Sequence, residues 1–125
     1  MTDIKYFNLG TPVAGPYTPS VKVGDLIFVS GQGPAVEATN IKEQTSTTLE
    51  NIKKILEAAG SNVSKIVSIS VFMKNMKDFE IMNQAYREFF EMNGVNDKFP
   101  ARTTVEVSNL PIKRMLIEIN AIAAI

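Results

Sequence analysis

The sequence predicts an α+β fold in which two helices pack on one face of a mixed sheet. Apolar residues alternate with polar ones in short segments near both ends of the chain and once in the middle. In two longer stretches they recur at three- and four-residue steps instead, which is the period of an amphipathic helix. The resulting order is strands, helix, strand, helix, strands. We therefore expect a sheet with one face covered by helices and one face left open.

The first third of the chain has the composition of short strands joined by loops. The strand segments are IKYFNL (4–9), SVKV (20–23) and LIFVS (26–30). Gly24 and Asp25 separate the last two segments and suit a tight hairpin turn. The stretch GTPVAGPYTPS (10–20) is rich in proline and has no helical period, so we expect a loop. A loop held by a rigid sheet is a common place for binding residues, and this one carries Tyr17.

Two amphipathic helices are predicted in the middle of the chain. The first runs from about Lys42 to Ala59, and Gly60 is its terminator. The second starts at Asp78, whose carboxylate can cap the helix, and ends at Gly94. Its apolar stripe consists of Phe79, Met82, Tyr86, Phe89 and Phe90. Stripes with this spacing usually pack on a core, so we expect the second helix to lie on the sheet rather than to hold a cofactor.

A strand between the helices and two strands at the end of the chain complete the pattern. The middle strand is IVSISVFM (66–73), in which apolar residues alternate with serine. RTTVEV (102–107) and MLIEINAIA (115–123), joined by the turn segment SNLPIKR (108–114), are predicted to form an antiparallel pair. The sheet then has a second face without helices. A symmetric partner subunit is the simplest cover for that face.

The composition limits the chemistry that the chain can perform. The 125 residues, 45% of them hydrophobic, fit one domain spanning residues 1–125. The 13 basic residues balance the 13 acidic ones, so no overall field attracts nucleic acid or an anionic membrane, and nucleic-acid binding is not expected. Because Cys and His are absent, the usual zinc sites, a cysteine nucleophile and a Ser-His-Asp triad are excluded. Acid–base chemistry is left to carboxylates, Lys or Tyr.

The sequence also predicts a location. The start MTDIKYFNLG lacks the basic and apolar regions of a signal peptide. No apolar run approaches the roughly 20 residues that cross a bilayer. Without cysteine there is no disulfide framework either. We expect a cytoplasmic protein without membrane attachment.

An arginine and a glutamate in the last two strands are the candidates for chemistry. Strand alternation puts Arg102, Thr104 and Glu106 on one face of the first strand. In the second strand it groups Leu116, Glu118, Asn120 and Ile122. If the two strands pair, the arginine and a carboxylate can approach each other or a shared pocket.

Two interpretations of these charged residues are open. A salt bridge between Arg102 and Glu118, or between either one and Glu106, would hold the strands in register, and periodicity alone favours this structural role. Alternatively, the rigid fork of Arg102 holds a small acidic ligand while Glu118 handles a proton. The glycine-rich SGQG (30–33) fits an ordinary turn or a place where the backbone approaches a ligand closely.

Six blocks spread over nearly the whole chain resemble one family. They are GPY (15–17), FVSGQ (28–32), TLENIKKILEAAG (48–60), MNQAYREFF (82–90), FPARTTVEV (99–107) and IEINAIA (117–123). In this order they resemble the Rid family of reactive-intermediate deaminases, formerly called the YjgF group. The resemblance implies a chorismate-mutase-like subunit with a mixed six-stranded sheet and two helices on one face, assembled as a homotrimer with clefts between subunits. It also implies hydrolysis of 2-imino acids, such as 2-iminobutanoate and 2-iminopropanoate, to 2-oxo acids and ammonia.

The resemblance assigns roles to individual residues. Arg102 matches the arginine that grips the substrate carboxylate, and Glu118 matches the glutamate that positions the attacking water or moves its proton. The positions that line the cleft are matched by Tyr17, Ser30, Gly31, Asn83 and Thr104.

Three departures from the family pattern stand out. The loop from Gly33 to Lys42 is shorter than in typical members, and Gly33 replaces a bulky aliphatic residue. Asn120 stands where a second glutamate is common. The first two departures bear on the size of the substrate, and the third bears on the surroundings of Glu118.

The implied reaction needs neither a cofactor nor a metal. A guanidinium can fix the carboxylate of a 2-imino acid and orient the carbon that reacts. Glu118 is flanked by Ile117 and Ile119, so we expect desolvation to raise its pKa toward the range in which a carboxyl group both accepts and donates a proton. Glu118 can then take a proton from water and return it to the departing nitrogen.

Two other functions compete with imine hydrolysis. A trimeric module that binds small carboxylates and regulates without catalysis would also use Arg102. Such a pocket gains nothing from a second negative charge at Glu118, which favours the enzyme. RNA cleavage has been attached to some members of the family, but zero net charge and the absence of histidine disfavour it.

Overall fold

The computed structural model describes residues 2–10 and 13–125. That part of the chain contains six strands and two α-helices. In chain order they are β1 (Ile4–Phe7), β2 (Ser20–Val23), β3 (Leu26–Gln32), α1 (Ile41–Ala58), β4 (Ile66–Met73), α2 (Phe79–Met92), β5 (Ala101–Glu106) and β6 (Ile117–Ala124). Short 3₁₀ turns at Val63–Lys65 and Met76–Asp78 precede β4 and α2.

The six strands form one mixed sheet in the order β1-β2-β3-β6-β4-β5. β4 and β5 are parallel, and the other neighbouring pairs are antiparallel. Both helices pack on the same face of this sheet, where their apolar residues join one core with those of the strands. The predicted α+β, chorismate-mutase-like class is therefore confirmed.

The last two strands do not pair with each other, so the predicted antiparallel pair is wrong. β5 pairs with β4, and β6 lies between β3 and β4. The physical reason is the position of α2 between β4 and β5. A helix that crosses over a sheet returns the chain in its original direction, which makes the two strands parallel. The segment 107–116 then carries the chain past β4 to its other side.

Local signals located most element boundaries to within one or two residues. Val23 pairs with Leu26, which confirms the tight turn at Gly24 and Asp25. α1 begins one residue before the predicted start, after Asn40, whose side chain accepts a hydrogen bond from the Glu43 amide at 2.8 Å. Asp78 occupies the N-cap position of α2 but makes no side-chain capping bond, because a 3₁₀ turn leads directly into the helix.

The core lies between the sheet and the two helices. Its fully buried large side chains include Leu49, Ile52 and Leu56 of α1, Met82 and Phe90 of α2, Ile69 and Met73 of β4, and Ile117 and Ile119 of β6. Each such side chain contributes roughly 1.5–3 kcal/mol relative to exposure. The apolar stripe of α2 thus packs on the sheet, as predicted, and this packing holds β4, β5 and β6 in place.

The other face of the sheet, which we call the open face, carries no helix. Phe28 of β3 lies opposite Ile122 of β6, and Phe72 of β4 lies between Glu118 of β6 and Val105 of β5. Phe28 and Val105 are each 40% exposed. The open face therefore carries exposed apolar side chains, and Glu118 lies within it. Beside these apolar side chains lie the polar Ser70, Thr103 and Asn120. Among the described residues, no helix is long and apolar enough to span a membrane.

Candidate functional site

The predicted catalytic residues lie on opposite faces of the sheet. Arg102 is in register with Ile69, and its side chain contacts α2, so it lies on the helix face. Glu118 is in register with Phe72 on the open face, since its neighbours Ile117 and Ile119 point into the core. β4 separates the two strands. The predicted Arg102–Glu118 salt bridge within one chain is therefore wrong.

Glu106 does not supply the alternative partner either. It lies on the same face as Arg102 but four residues along the strand, about 13 Å away at the usual rise per residue. Its Oε1 accepts a hydrogen bond from the Met76 amide at 2.7 Å, at the start of the turn before α2. Glu106 thus helps to anchor α2 rather than to neutralise Arg102.

Arg102 lines a pocket of about 310 Å³ between α2 and the edge strand β5. This Arg102 pocket is lined by Asn83, Tyr86, Arg87, Phe99, Pro100 and Arg102. Of the residues predicted for substrate binding, it brings Arg102 and Asn83 together. Within residues 2–10 and 13–125, β5 is the last strand in the sheet order and pairs with β4 alone, so the pocket lies at an edge of the sheet.

The guanidinium of Arg102 is held from several sides. Its Nη2 donates to Asn83 Oδ1 at 2.8 Å, and its Nη1 lies 3.9 Å from Met82 Sδ. Its Cζ lies 4.8 Å from the ring centroid of Tyr86 and 5.7 Å from that of Phe79. Each such cation–π contact contributes roughly 0.5–2 kcal/mol, more where water is excluded. The orientation of the fork is thus fixed before any ligand arrives.

Two hydroxyl groups near Arg102 are buried without a hydrogen-bond partner in the described part of the chain. They belong to Tyr86 and Thr104. Burial raises the pKa of Tyr86 to about 12, although the charge of Arg102 pulls in the other direction. Tyr86 is therefore neutral near pH 7. Thr104 follows Arg102 on the same face of β5, which agrees with its predicted place beside the arginine.

Glu118 lines a second pocket, of about 200 Å³, on the open face. This Glu118 pocket is lined by Ala14, Tyr17, Gly31, Gly33, Pro34, Pro111, Ile112, Arg114, Met115 and Glu118. It brings together three predicted site residues, Tyr17, Gly31 and Glu118. Burial raises the pKa of the Glu118 carboxyl above its ordinary value, as the flanking isoleucines led us to expect.

Gly31 is the residue on which the carboxyl group of Glu118 rests. A Cβ atom at position 31 would lie 2.9 Å from Glu118 Cδ and would overlap Oε2. The register of β3 against β6 shifts between Val29 and Gln32, so Gly31 lies in an irregular part of the strand. Only glycine leaves room for the carboxyl group there. The group that approaches the SGQG segment closely is thus the side chain of Glu118, and the predicted approach to a ligand stays a prediction.

A profile of the family described as Endoribonuclease L-PSP matches residues 10–125. The chain belongs to this family. The resemblance to the Rid, or YjgF, group is thereby confirmed. A RutC family protein of Pyrococcus abyssi is 46% identical over 115 residues, which cover 87% of this chain and 86% of that protein.

Two further proteins resemble the chain closely. A Salmonella typhimurium protein named 2-iminobutanoate/2-iminopropanoate deaminase is 43% identical over 114 residues, covering 87% of each chain. The crystal structure of the YjgF gene product of E. coli superposes with a TM-score of 0.84 at 39% identity and covers 90% of both chains. The fold of this chain is thus the fold of its family.

Ser30 does not line the Glu118 pocket, in contrast to the other cleft residues predicted on this side. Its Oγ donates to the Thr18 carbonyl at 2.5 Å, and its amide donates to the Pro19 carbonyl at 3.0 Å. Both bonds tie the loop that carries Tyr17 to β3. Within one subunit Ser30 therefore holds this loop, and its predicted place in the cleft between subunits stays a prediction.

The space beside Gly33, where the family pattern has a bulky aliphatic residue, is occupied by another side chain. A Cβ atom at Gly33 would lie 2.9 Å from Cε and 3.4 Å from Sδ of Met115, which is itself buried. The Met115 side chain thus fills the space that a side chain at position 33 would occupy. Beside Gly33, Met115 supplies an apolar part of the pocket lining.

Sequence reasoning missed Gln44, which supports the segment before β6. This buried residue of α1 accepts a hydrogen bond from the Leu116 amide at 2.7 Å and donates to the Arg114 carbonyl at 3.0 Å. Its position in the buried stripe of α1, three residues after Ile41, was the available signal. A polar residue in such a stripe usually satisfies buried backbone groups.

Sequence reasoning also missed Arg114, a second cation beside the candidate site. Its guanidinium donates to the carbonyl groups of Ala35 at 3.2 Å and Pro34 at 3.4 Å. It lines the Glu118 pocket and is half-buried. No spacing pattern in the sequence distinguishes it from a solvated loop residue.

Proposed function

We propose that this L-PSP family chain hydrolyses 2-imino acids to 2-oxo acids and ammonia, as a homotrimer whose sites lie between subunits. The proposal rests on Glu118, a carboxyl group with a raised pKa that packs on Gly31 in a pocket shared with Tyr17. The name of the Salmonella relative, a 2-iminobutanoate/2-iminopropanoate deaminase, supports the same activity.

The separation of the two pockets supports a site formed by two subunits. Within one chain, Arg102 and Glu118 lie on opposite faces of the sheet and cannot contact one small molecule together. A rotationally symmetric assembly can bring the Arg102 edge of one subunit to the open face of the next. It would also cover exposed apolar side chains such as Phe28 and Val105. Three equivalent clefts follow in a trimer.

Arg102 binds the substrate carboxylate in the proposed cleft. Asn83 and the rings of Tyr86 and Phe79 hold its guanidinium, which leaves donors for two parallel hydrogen bonds to an anion. The buried hydroxyl of Thr104 and free backbone N–H groups at the edge of β5 can add further donors. This contact fixes the imine carbon with respect to the neighbouring subunit.

Glu118 of that neighbour moves the protons. Its carboxylate accepts a proton from water while the water oxygen bonds to the imine carbon and the C=N π electrons move to nitrogen. The resulting carboxyl group donates this proton to that nitrogen, which gives a carbinolamine. Glu118 then takes the hydroxyl proton and passes it to the same nitrogen as the C–N bond breaks, so ammonia leaves and the carboxylate is restored. The products are a 2-oxo acid and ammonia. A raised pKa suits a group that both accepts and donates within one turnover.

Tyr17 and Gly31 complete the reactive side of the cleft. Tyr17 is 45% exposed and lies beside Glu118, so its hydroxyl is free to bind the attacking water or the substrate. Gly31 lets the carboxyl group rest against the backbone of β3. Both act on the water side of the imine, whereas Arg102 and Asn83 act on the carboxylate side.

The experiment that tests this function follows the decay of an imine. A threonine dehydratase generates 2-iminobutanoate in the presence of semicarbazide, which traps the imine that survives. Adding the protein should lower the yield of semicarbazone and speed the appearance of 2-oxobutanoate. An unchanged yield at micromolar protein would contradict the proposal.

A carboxylate-binding module without catalysis is the second candidate, because the Arg102 pocket is complete within one subunit. Such a module would bind 2-oxobutanoate in calorimetry and leave the imine decay unchanged. Substitution of Glu118 would then affect neither measurement. Acceleration that depends on Glu118 excludes this candidate.

A further inference from the structure

The Glu118 pocket contains a charged group that the mechanism above does not use. Arg114 lines this pocket together with Tyr17, Met115 and Glu118. In a pocket of about 200 Å³ with several apolar walls, a guanidinium is a strong determinant of what can enter. The contacts of Arg114 therefore bear on which ligands the pocket admits.

Both ends of Arg114 are fixed in place. Its backbone carbonyl accepts a hydrogen bond from Gln44 of α1, and the Gln44 side chain also holds the amide of Leu116. Its guanidinium donates one bond from each terminal nitrogen, to the carbonyl groups of Ala35 and Pro34. Since a guanidinium has five N–H donors, three are left for a ligand. The positive charge of Arg114 is thus fixed in position at the wall of the Glu118 pocket.

The carboxyl group of Glu118 does not take up this charge. A cation in contact with Glu118 would lower the pKa of that carboxyl, but burial is the cause of its shift and no charged neighbour in the described part of the chain contributes to it. The bonds of Arg114 within the described residues go to neutral carbonyl groups, which leave its positive charge uncompensated. A half-buried cation of this kind favours an anionic ligand.

The direction of a bound substrate follows from the proposed function, on which this step rests. Arg102 of one subunit takes the 2-carboxylate, and the imine carbon lies at Glu118 of the next. The side chain of the substrate then lies in the Glu118 pocket, whose lining includes Met115, Ile112 and Arg114. A short side chain that ends in a carboxylate matches both the apolar wall and the cation.

We infer that Arg114 is a specificity-determining residue that binds a second carboxylate of the substrate. The preferred substrates are then 2-imino dicarboxylic acids, such as 2-iminosuccinate or 2-iminoglutarate, rather than 2-iminobutanoate. The hydrolysis itself is unchanged: the products are the corresponding 2-oxo dicarboxylic acid and ammonia.

The test compares two imines and two variants. Amino-acid oxidases acting on aspartate and on 2-aminobutanoate supply 2-iminosuccinate and 2-iminobutanoate in situ, with semicarbazide as the trap. Arg114→Met removes the charge and keeps the length of the side chain. Lys113→Met is the matched control, since it removes a charge from an adjacent exposed residue that lies outside the pocket lining. Thermal unfolding of each variant checks its fold.

The wild-type protein should show the higher kcat/KM on 2-iminosuccinate. Arg114→Met should lower that value by about 10- to 100-fold, the scale of a charge-assisted hydrogen-bonded contact, and lower kcat/KM on 2-iminobutanoate by a much smaller factor. Lys113→Met should alter neither. Equal wild-type values for the two imines, or an equal loss on both in Arg114→Met, would overturn the inference.

A binding measurement separates this inference from the proposed function. Calorimetry with the stable acids 2-oxoglutarate and 2-oxobutanoate requires no catalysis. Tighter binding of 2-oxoglutarate that is lost in Arg114→Met supports the role of Arg114 even if neither imine is hydrolysed. Equal affinity for both acids in the wild-type protein, together with hydrolysis of both imines, refutes the role of Arg114 and leaves the deaminase intact.

Discussion

The Arg102 pocket and the Glu118 pocket hold their charged groups in opposite ways. Arg102 is gripped by the Asn83 amide and by the rings of Tyr86 and Phe79. Glu118 rests on the bare backbone of Gly31, and burial shifts its pKa. The first arrangement fixes a permanent charge in one orientation. The second leaves a carboxyl group able to change its protonation state.

This difference indicates that one face of the sheet is suited to binding an anion and the other to transferring a proton. A group that binds an anion works best when its donors are oriented in advance. A group that shuttles a proton needs a pKa closer to the working pH, which desolvation supplies. Substitutions that separate orientation from protonation therefore test whether the two pockets have the roles proposed for them.

The largest effect is expected for Glu118→Gln, which keeps the shape of the side chain and removes its ability to accept a proton. We expect kcat for imine hydrolysis to fall by roughly 100-fold or more, the usual scale of general acid–base catalysis. Affinity for 2-oxobutanoate should persist, because Arg102 is untouched. Steady-state kinetics and calorimetry measure the two quantities. A fully active Glu118→Gln protein would remove Glu118 from the mechanism.

Arg102→Lys tests the binding half of the comparison. A lysine keeps the charge but cannot form two parallel hydrogen bonds to a carboxylate, and it loses the planar stacking on Tyr86. We expect kcat/KM to fall by about 10- to 100-fold, the scale of a lost charge-assisted contact. Binding of 2-oxobutanoate should weaken in parallel. Near-normal catalytic efficiency would argue against a role for Arg102 in gripping the carboxylate.

Tyr86 allows a matched pair of variants that separate its ring from its hydroxyl. Tyr86→Leu removes the ring under Arg102 and should raise KM by roughly tenfold, within the range of a partly desolvated cation–π contact. Tyr86→Phe keeps the ring and removes a hydroxyl that has no partner within the described residues, so KM should stay close to the wild-type value. Equal defects in both variants would mean that the hydroxyl, rather than the ring, matters.

The smallest effect concerns stability and pH. Because the pKa of Glu118 is raised in the folded state, that state binds the proton more tightly than the unfolded chain does. Wild-type stability relative to Glu118→Gln should therefore increase as the pH falls through the range above the ordinary value of 4.5, and decrease as the pH rises. Urea unfolding at fixed subunit concentration measures this difference. If Glu118→Gln were less stable than wild type only at neutral pH, the predicted sign of this pH dependence would be wrong.

Local patterns in the sequence were sufficient for the elements but not for their arrangement. The bounds of β4 and of both helices followed from periods of two and of three to four residues, because burial repeats with the local geometry of the chain. The pairing of β5 with β4 depends on the crossover through α2. The alternation of residues within β5 does not indicate which strand is its neighbour. The same limitation produced the mistaken salt bridge, since alternation gives the face of a strand and not its neighbour.

The residues of the candidate site were likewise only partly predictable from local patterns in the sequence. Arg102 and Glu118 are unusual residue types in otherwise apolar strands, so the sequence drew attention to them. Gln44 and Arg114 gain their importance from contacts with residues about 70 to 80 positions away in the chain. The contact between Gly31 and Glu118 likewise depends on the register of β3 against β6. Such contacts exist only after the fold has formed.

The central claim is that one catalytic site combines Arg102 of one subunit with Glu118 of another. Subunits carrying Arg102→Ala and subunits carrying Glu118→Gln, each inactive alone, can be unfolded, mixed in equal amounts and refolded together. In a cyclic trimer, random mixing gives about one quarter of the sites an intact Arg102 and an intact Glu118 from different subunits. About this fraction of wild-type turnover should return. No recovery from mixed oligomers of confirmed composition would contradict the claim.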